Sequence, residues 1–411
     1  MEVKLLVNQE RLWGRLMALA QIGMQEGGGT KRLPFTKEDK AARELVTGFM
    51  TEAGLTVTED AVCNLIGRKE GKNPNAPAVW TGSHIDTVWL GGNFDGALGV
   101  LSAIEALQVM HENGIETEAP IEVIAFTNEE CTRWNNAMIG SRGMVGRFLE
   151  TDLDQLDRDG VVLRDAMREA GYVPEAFKQA IRSKESVKAF VELHIEQGKV
   201  LETEGLSVGI VKGIYSQLGD KFIVEGEAGH AGATPMHLRK DPLMAASEIM
   251  LDIEDQARKG QCVGTIGYIQ AFPGGTNIIP GRVEFSVDLR NVDDPSKDLL
   301  EQEVIAKARI IAEKRGVKLT VEKAYSNGGV PCDPAIQEII KDSCETAGLK
   351  PFNLMSGAGH DAMHIAALCP IGMIFVRSKD GVSHAPLEYS SPEDCRDGAN
   401  VLYHTLLELA E

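Results

Sequence analysis

The chain has 411 residues, 43% hydrophobic and 25% charged, a soluble globular balance at a length beyond what one hydrophobic core usually supports, so two domains are expected. A formal net charge of −19 repels phosphate backbones and anionic lipid, which argues against nucleic acid and membrane as partners and means that a carboxylate substrate would need a local cation. Seven cysteines without a C-x-x-C pair, a start without an apolar leader core and no apolar run long enough to span a bilayer together point to free thiols and a cytoplasmic location.

From about residue 10 to 211, short apolar runs alternate with helical patterns, the texture of an α/β layered domain. Strands are expected at 78–80, 121–127 and 187–195, each running into or through a polar segment. The first leads to Gly82-Ser83-His84-Ile85-Asp86-Thr87, where Asp86 is placed to orient a metal-binding His84 ring. Asp95 follows in Gly91-Gly92-Asn93-Phe94-Asp95-Gly96, whose glycines permit a tight turn before a helix at 98–110. That helix carries Leu101, Ile104, Leu107 and Met110 on one stripe.

After 121–127 comes Asn128-Glu129-Glu130-Cys131. Adjacent carboxylates repel unless a cation sits beside them. On an extended chain they point to opposite sides, so that one can bind metal while the other faces substrate as a general base. In 187–195, Glu192 and His194 share a strand face that continues to Glu196, a poor buried surface without a metal or salt partner.

Between about 212 and 329 the pattern becomes β-α-β-β-α-β: strand 221–225, helix 242–258, strands in 262–271 and 283–289, helix 298–315 and strand 317–323. This is the order of a ferredoxin-like sandwich. His384 lies beyond it, in a Gly- and Pro-bounded loop after an apolar strand at 373–376. If His384 joins His84 and His194 at one site, residues 212–329 form an inserted domain and the outer domain is discontinuous, 1–211 plus 330–411.

Taken singly, each polar residue has an ordinary reading: Asp95 as a helix cap, Glu129-Glu130 as an acidic turn, His194 on an edge strand, His384 as an exposed loop residue. Together, three imidazoles and two or three carboxylates at strand ends are the ligand inventory of a pair of divalent metals.

These segments, with Glu192-Leu193-His194-Ile195-Glu196-Gln197-Gly198, His230-Ala231-Gly232-Ala233-Thr234-Pro235, Asn277-Ile278-Ile279-Pro280-Gly281 and Ser356-Gly357-Ala358-Gly359-His360-Asp361, occur in an order that resembles the amidase, hydantoinase and carbamoylase family of di-metal hydrolases. The resemblance spans essentially the whole chain. It implies an α/β catalytic domain of the di-metal aminopeptidase type with an inserted ferredoxin-like α+β domain for dimerisation and closure. It further implies that Asp95 bridges two divalent ions of the Zn, Mn, Co or Ni type, with His84 and His194 completing one shell and Glu130 and His384 the other. Glu129 matches the general base, and His230 a residue that enters the neighbouring subunit's site to stabilise an oxyanion. Asn277 and Arg290 match substrate-carboxylate contacts, Gln197 a polar substrate contact and Gly359 a backbone contact, while His360 stays outside the metal set.

The implied substrate is a carboxylate bearing a ureido group. The first expectation is a homodimer that hydrolyses N-carbamoyl-L-amino acids to amino acid, ammonia and carbon dioxide. Allantoate or a β-ureido acid is the alternative within the class, and a catalytically silent metal-binding dimer is the alternative outside it. Cys131 and Trp134 depart from the family pattern, where Gly and Phe are usual, and are expected to reshape the pocket beside Glu129.

Overall fold

A computed structural model describes residues 6–134, 137–260 and 262–411, so residues 1–5, part of the start read above for a leader, lie outside it. Two compact units emerge, Met1–Lys212 with Cys332–Glu411, and Gly213–Pro331.

The first unit is built on a mixed sheet. Its strands run in the order Thr56–Glu59, Leu65–Lys69, Ile121–Phe126, Ala78–His84, Val187–Ile195, Ile371–Val376 and Val208–Ile214. The four strands from Ile121–Phe126 to Ile371–Val376 are mutually parallel, with His84 beside Phe126 and Phe375 beside His194. Their carboxyl ends therefore lie along one edge, where open α/β sheets bind ligands.

Alternation along Val187–Ile195 explains how one strand serves both core and site. Ala189, Val191, Leu193 and Ile195 join the main hydrophobic core. Phe190, Glu192 and His194 take the opposite face, where Phe190 meets Phe126 edge-on at 5.8 Å. Glu192 and His194 are fully buried there, so this is an interior strand and not an exposed edge.

Helix Ala97–Glu112 is apolar on nearly all sides and is buried from Ala97 to Met110, wider than the single stripe that the sequence suggests. It packs against the sheet and the helices Gln9–Ala20 and Pro392–Ala410. Its one buried acid, Glu105, is neutralised by Arg11 Nε at 2.7 Å.

The second unit is an antiparallel sheet covered by helices Pro242–Gly260 and Asp294–Arg315. Strand Arg282–Asn291 pairs with Ser216–Glu225 and Ile269–Phe272, and Ser216–Glu225 pairs with Lys318–Asn327. Leu218, Phe222, Val283, Phe285, Val287 and Leu289 form its core with Ile249, Ile253, Val304 and Ala308 of the helices. No helix among the described residues is long and apolar enough to cross a membrane.

Candidate metal centre and active site

His84 is the last residue of its strand and His194 the penultimate residue of Val187–Ile195, so the sheet fixes the backbone from which both rings project. His84 Nδ1 lies 3.0 Å from Asp86 O and His194 Nδ1 2.9 Å from Ile195 O. A carbonyl accepts only from N–H, so each neutral ring carries its proton on Nδ1 and turns the Nε2 lone pair inward. His194 Nε2 accordingly accepts the Gly96 N–H at 3.3 Å.

Both lone pairs face Asp95. Its Oδ1 is buried without a hydrogen-bond partner among the described residues and lies 3.5 Å from His84 Nε2 and 3.1 Å from His194 Nε2. Its Oδ2 lies 3.2 Å from His384 Nε2, which is 3.4 Å from Glu130 Oε2. Two candidate donor sets result, His84–Asp95–His194 and Asp95–Glu130–His384, sharing Asp95. Lone pairs converging on a carboxylate oxygen repel unless a positive charge sits among them, and nitrogen plus carboxylate donors suit borderline divalent ions. The residues present therefore fit a metal.

Glu129 and Glu130 are pushed toward the neutral form. Burial raises Glu129 well above the usual carboxylate range, and burial together with Asp95 pushes Glu130 up to about 7. Burial also opposes ionisation of Asp95, but without a metal the protonated forms of His194, His384 and His84 hold it well below its ordinary value, and the acids around His84 and His194 raise those two rings in turn. His384 rises to about 9 through its hydrogen bond with Asp95. A bound cation would favour the carboxylate forms of the same groups.

Glu129 Oε2 lies 3.8 Å from His84 Nε2, at the edge of the first donor set. The 128–131 segment is a turn and not extended chain, with φ of 52° at Asn128 and 55° at Cys131. Asp86 shapes it by accepting the Glu129 N–H at 3.2 Å and the Glu130 N–H at 3.3 Å. Asp86 thus supports the base and the second donor set, while its carbonyl orients His84.

Gln197, read from the sequence as a substrate contact, donates from Nε2 to Asp95 Oδ2 at 2.8 Å. Gly359 lies near Met138 and Met363, where a Cβ would meet Met138 Cε at 3.3 Å. Glu196 turns away and accepts the Val200 and Leu201 N–H groups at 2.7 and 2.9 Å. Trp134 is fully buried with Val62, Ile139 and Leu163, its indole N–H donating to Val161 O at 3.1 Å. It is a packing residue of this core. Cys131 Sγ donates to Trp134 O at 3.5 Å.

His360, set aside on sequence, forms a third group with Glu192 and His194. Its Nε2 lies 2.8 Å from Ser356 Oγ, and the Glu192 oxygens accept Ser83 Oγ–H at 2.7 Å and Ala362 N–H at 3.1 Å. These groups support the His194 face. Glu388 and Ser383 were not singled out as site residues by the sequence reading, yet Ser383 Oγ lies 2.9 Å from Asp95 Oδ2. The conspicuous His384 beside Ser383 is the only local signal.

In the second unit, the two-stranded pairing of Gly229–His230 with Ile278–Ile279 sets His230 opposite Ile278, next to Asn277. His230 Nδ1 accepts the Gly232 and Ala233 N–H groups, each at 3.1 Å, so its neutral tautomer carries the proton on an exposed Nε2. Arg290 directs Nε to Asp288 Oδ1 at 2.8 Å and Nη2 to Asp288 Oδ2 at 3.2 Å.

The chain belongs to peptidase family M20/M25/M40, whose model matches residues 80–408. It is similar to an N-carbamoyl-L-amino acid amidohydrolase of Geobacillus stearothermophilus, with 50% identity over 99% of this chain and 100% of that one. Among solved structures it resembles an amidase of the hydantoinase/carbamoylase family from Burkholderia multivorans, with a TM-score of 0.94 and 37% identity over 99% of this chain and 98% of that one. Allantoate deiminase 2 of Glycine max is 36% identical over 92% of this chain and 85% of its own length.

Proposed function

We propose that the protein is a metal-dependent amidohydrolase that cleaves the carbamoyl amide of N-carbamoyl-L-amino acids, giving the amino acid, ammonia and carbon dioxide. The observation that carries this reading is Asp95, with two imidazole lone pairs turned on Oδ1 and His384 on Oδ2. His84, Asp95 and His194 would hold one divalent ion, and Asp95, Glu130 and His384 a second. Such ions, when bound, supply Lewis acidity and make water a stronger acid.

Glu129 takes a proton from the attacking water and returns it to the departing nitrogen. Its burial favours the protonated carboxyl between those two transfers. His230 offers an Nε2–H to the developing oxyanion, a role served by the tautomer that its backbone partners select. Arg290 supplies the local cation for a substrate carboxylate on a chain of net charge −19, with Asp288 holding its Nε edge and Asn277 as a second polar contact. Gln197 and Gly359 contact the ureido end.

In this reading the enzyme is a homodimer in which His230 serves the neighbouring subunit's site, and the inserted domain closes over substrate. Its seven free cysteines support a cytoplasmic setting. The 50% identical amidohydrolase favours N-carbamoyl-L-amino acids over allantoate, although allantoate also carries a carboxylate and ureido groups. A silent metal-binding dimer would have no use for Glu129.

The test is ammonia release from N-carbamoyl-L-amino acids, N-carbamoyl-β-alanine and allantoate, before and after chelation and metal add-back. The expected result is metal-dependent release, fastest from the first class. Faster allantoate turnover would move the assignment to the second reading, and no release from any substrate would overturn it. Glu129→Gln should keep its metal and lose about 10²- to 10⁴-fold in kcat. Near-normal turnover would remove Glu129 from the mechanism.

A further inference from the structure

Glu388 belongs to none of the donor or substrate sets above, yet it is 4% exposed and both of its oxygens are engaged. Oε1 accepts the Phe94 N–H at 2.9 Å and the Asp95 N–H at 3.0 Å. Oε2 accepts the Ser383 Oγ–H at 2.9 Å and the His384 N–H at 3.3 Å. A buried carboxylate is costly without such partners. Here its donors are three peptide N–H groups and a hydroxyl, drawn from two turns almost 300 residues apart in sequence.

The turn on the Asp95 side is shaped to receive it. A Cβ on Gly92 would stand 2.1 Å from Glu388 Oε1, so only glycine lets the carboxyl reach both amides. Ser383 Oγ lies within 2.9 Å of both Asp95 Oδ2 and Glu388 Oε2, and its one proton can serve either oxygen.

The two donor sets depend on this carboxylate unequally. In His84–Asp95–His194 the imidazoles project from sheet backbone and are held by the Asp86 and Ile195 carbonyls, and only Asp95 leans on Glu388. In Asp95–Glu130–His384, two of three donors hang from it by their own peptide N–H groups. We propose that Glu388 is a positioning residue for the second ion, setting the spacing of Asp95 and His384 by holding their two turns on one carboxylate. This rests on the two-ion reading above.

The experiment uses the full-length metal-free protein, its Glu388→Gln variant, and Co²⁺ as the probe in calorimetric titration. A glutamine amide accepts on one side only, so one turn loses its acceptor while the side chain keeps its size. The first Co²⁺ should bind within about threefold of wild type, and the second about 10- to 100-fold more weakly, as for loss of a group that orients a ligand. At low Co²⁺ kcat should fall, and saturating Co²⁺ should restore it with KM within about twofold, since no substrate contact is lost.

Deuterium uptake in the metal-free variant should rise in 92–96 and 383–385 and stay unchanged in Ile121–Phe126. Wild-type affinity for both ions, equal weakening of both, or unchanged uptake in both turns would each overturn the proposal. If the Gln variant does not fold, Gly92→Ala presses on the same carboxyl from the other side and should give the same selective loss. Its failure to do so would overturn the proposal equally. Wild type taking fewer than two Co²⁺ would overturn the two-ion reading and the assignment of Glu388 to a second ion with it. Deuterium uptake would then still show whether Glu388 ties the two turns.

Discussion

Gly96 shows how much of the site depends on what is missing from a side chain. It has φ 63°, and a Cβ there would lie 2.5 Å from Cδ2, Cε1 and Nε2 of His84. Alanine would be strained at this φ of 63° and ψ of −50°, which glycine adopts without a Cβ clash, and would also displace the ring that supplies one donor. We therefore expect Gly96→Ala to keep its far-ultraviolet dichroism and to lose bound metal and at least about tenfold in activity, as for a disturbed ligand. Full metal content by elemental analysis would contradict that account. The sequence marks Gly96 as a turn residue but cannot name the ring above it. The same limit applies to Glu129-Glu130: the acid pair is conspicuous, while the turn through Asn128 and Cys131 depends on Asp86 accepting both amides from a distance of more than 40 residues.

Elements were legible where apolar runs were clean and were cut short where buried polar residues interrupted them. The strand expected at 78–80 continues to His84, because Ser83 satisfies its hydroxyl on Glu192 and so can be buried. The helix expected from 298 begins at Asp294, since Asp293 caps it by accepting the Ser296 N–H and Pro295 suits its first turn. The short helix Ala362–Ile365, which packs on Ile139–Met144, contains a pH-sensitive residue. His364 Nδ1 lies 3.2 Å from Arg147 Nη1, and burial, then Arg147 and Arg142, lower its pKa to about 4. An unfolded histidine titrates near about 6.5, so between these values the unfolded chain holds the extra proton and stability falls as pH falls. The contribution is whole above about pH 6.5 and gone below about pH 4, worth about 1–2 kcal/mol after screening at this half-buried position. Urea melts of wild type and His364→Gln at pH 7.5 and 5 should diverge in their pH dependence by that amount. Parallel behaviour would show that His364 does not titrate in this way.

At the scale of the whole molecule, the order of the motifs along the chain revealed the family, whereas long-range ties such as Glu388 to Asp95 could not be read, because no local pattern pairs positions 293 residues apart. The shared Asp95 also follows from the sheet: parallel strands bring His84 and His194 to one edge, and the loop after Ile371–Val376 brings His384 to the same place. What belongs to the proposed assembly is the service of His230 to a neighbouring site, and mixed dimers can decide it. A subunit carrying Glu129→Gln keeps its His230, and one carrying His230→Ala keeps its Glu129; each homodimer should be nearly inactive. If His230 acts across the interface, a mixed dimer joins one intact Glu129 to the intact His230 of its partner. Random reassociation of equal amounts makes half the dimers mixed, with one working site in two, so about a quarter of wild-type activity should return. If His230 served its own subunit, no site in the mixture would contain both groups. Activity that stays at the level of the separate variants after exchange, with mixed dimers verified by mass spectrometry, would place His230 in its own chain's site or outside catalysis.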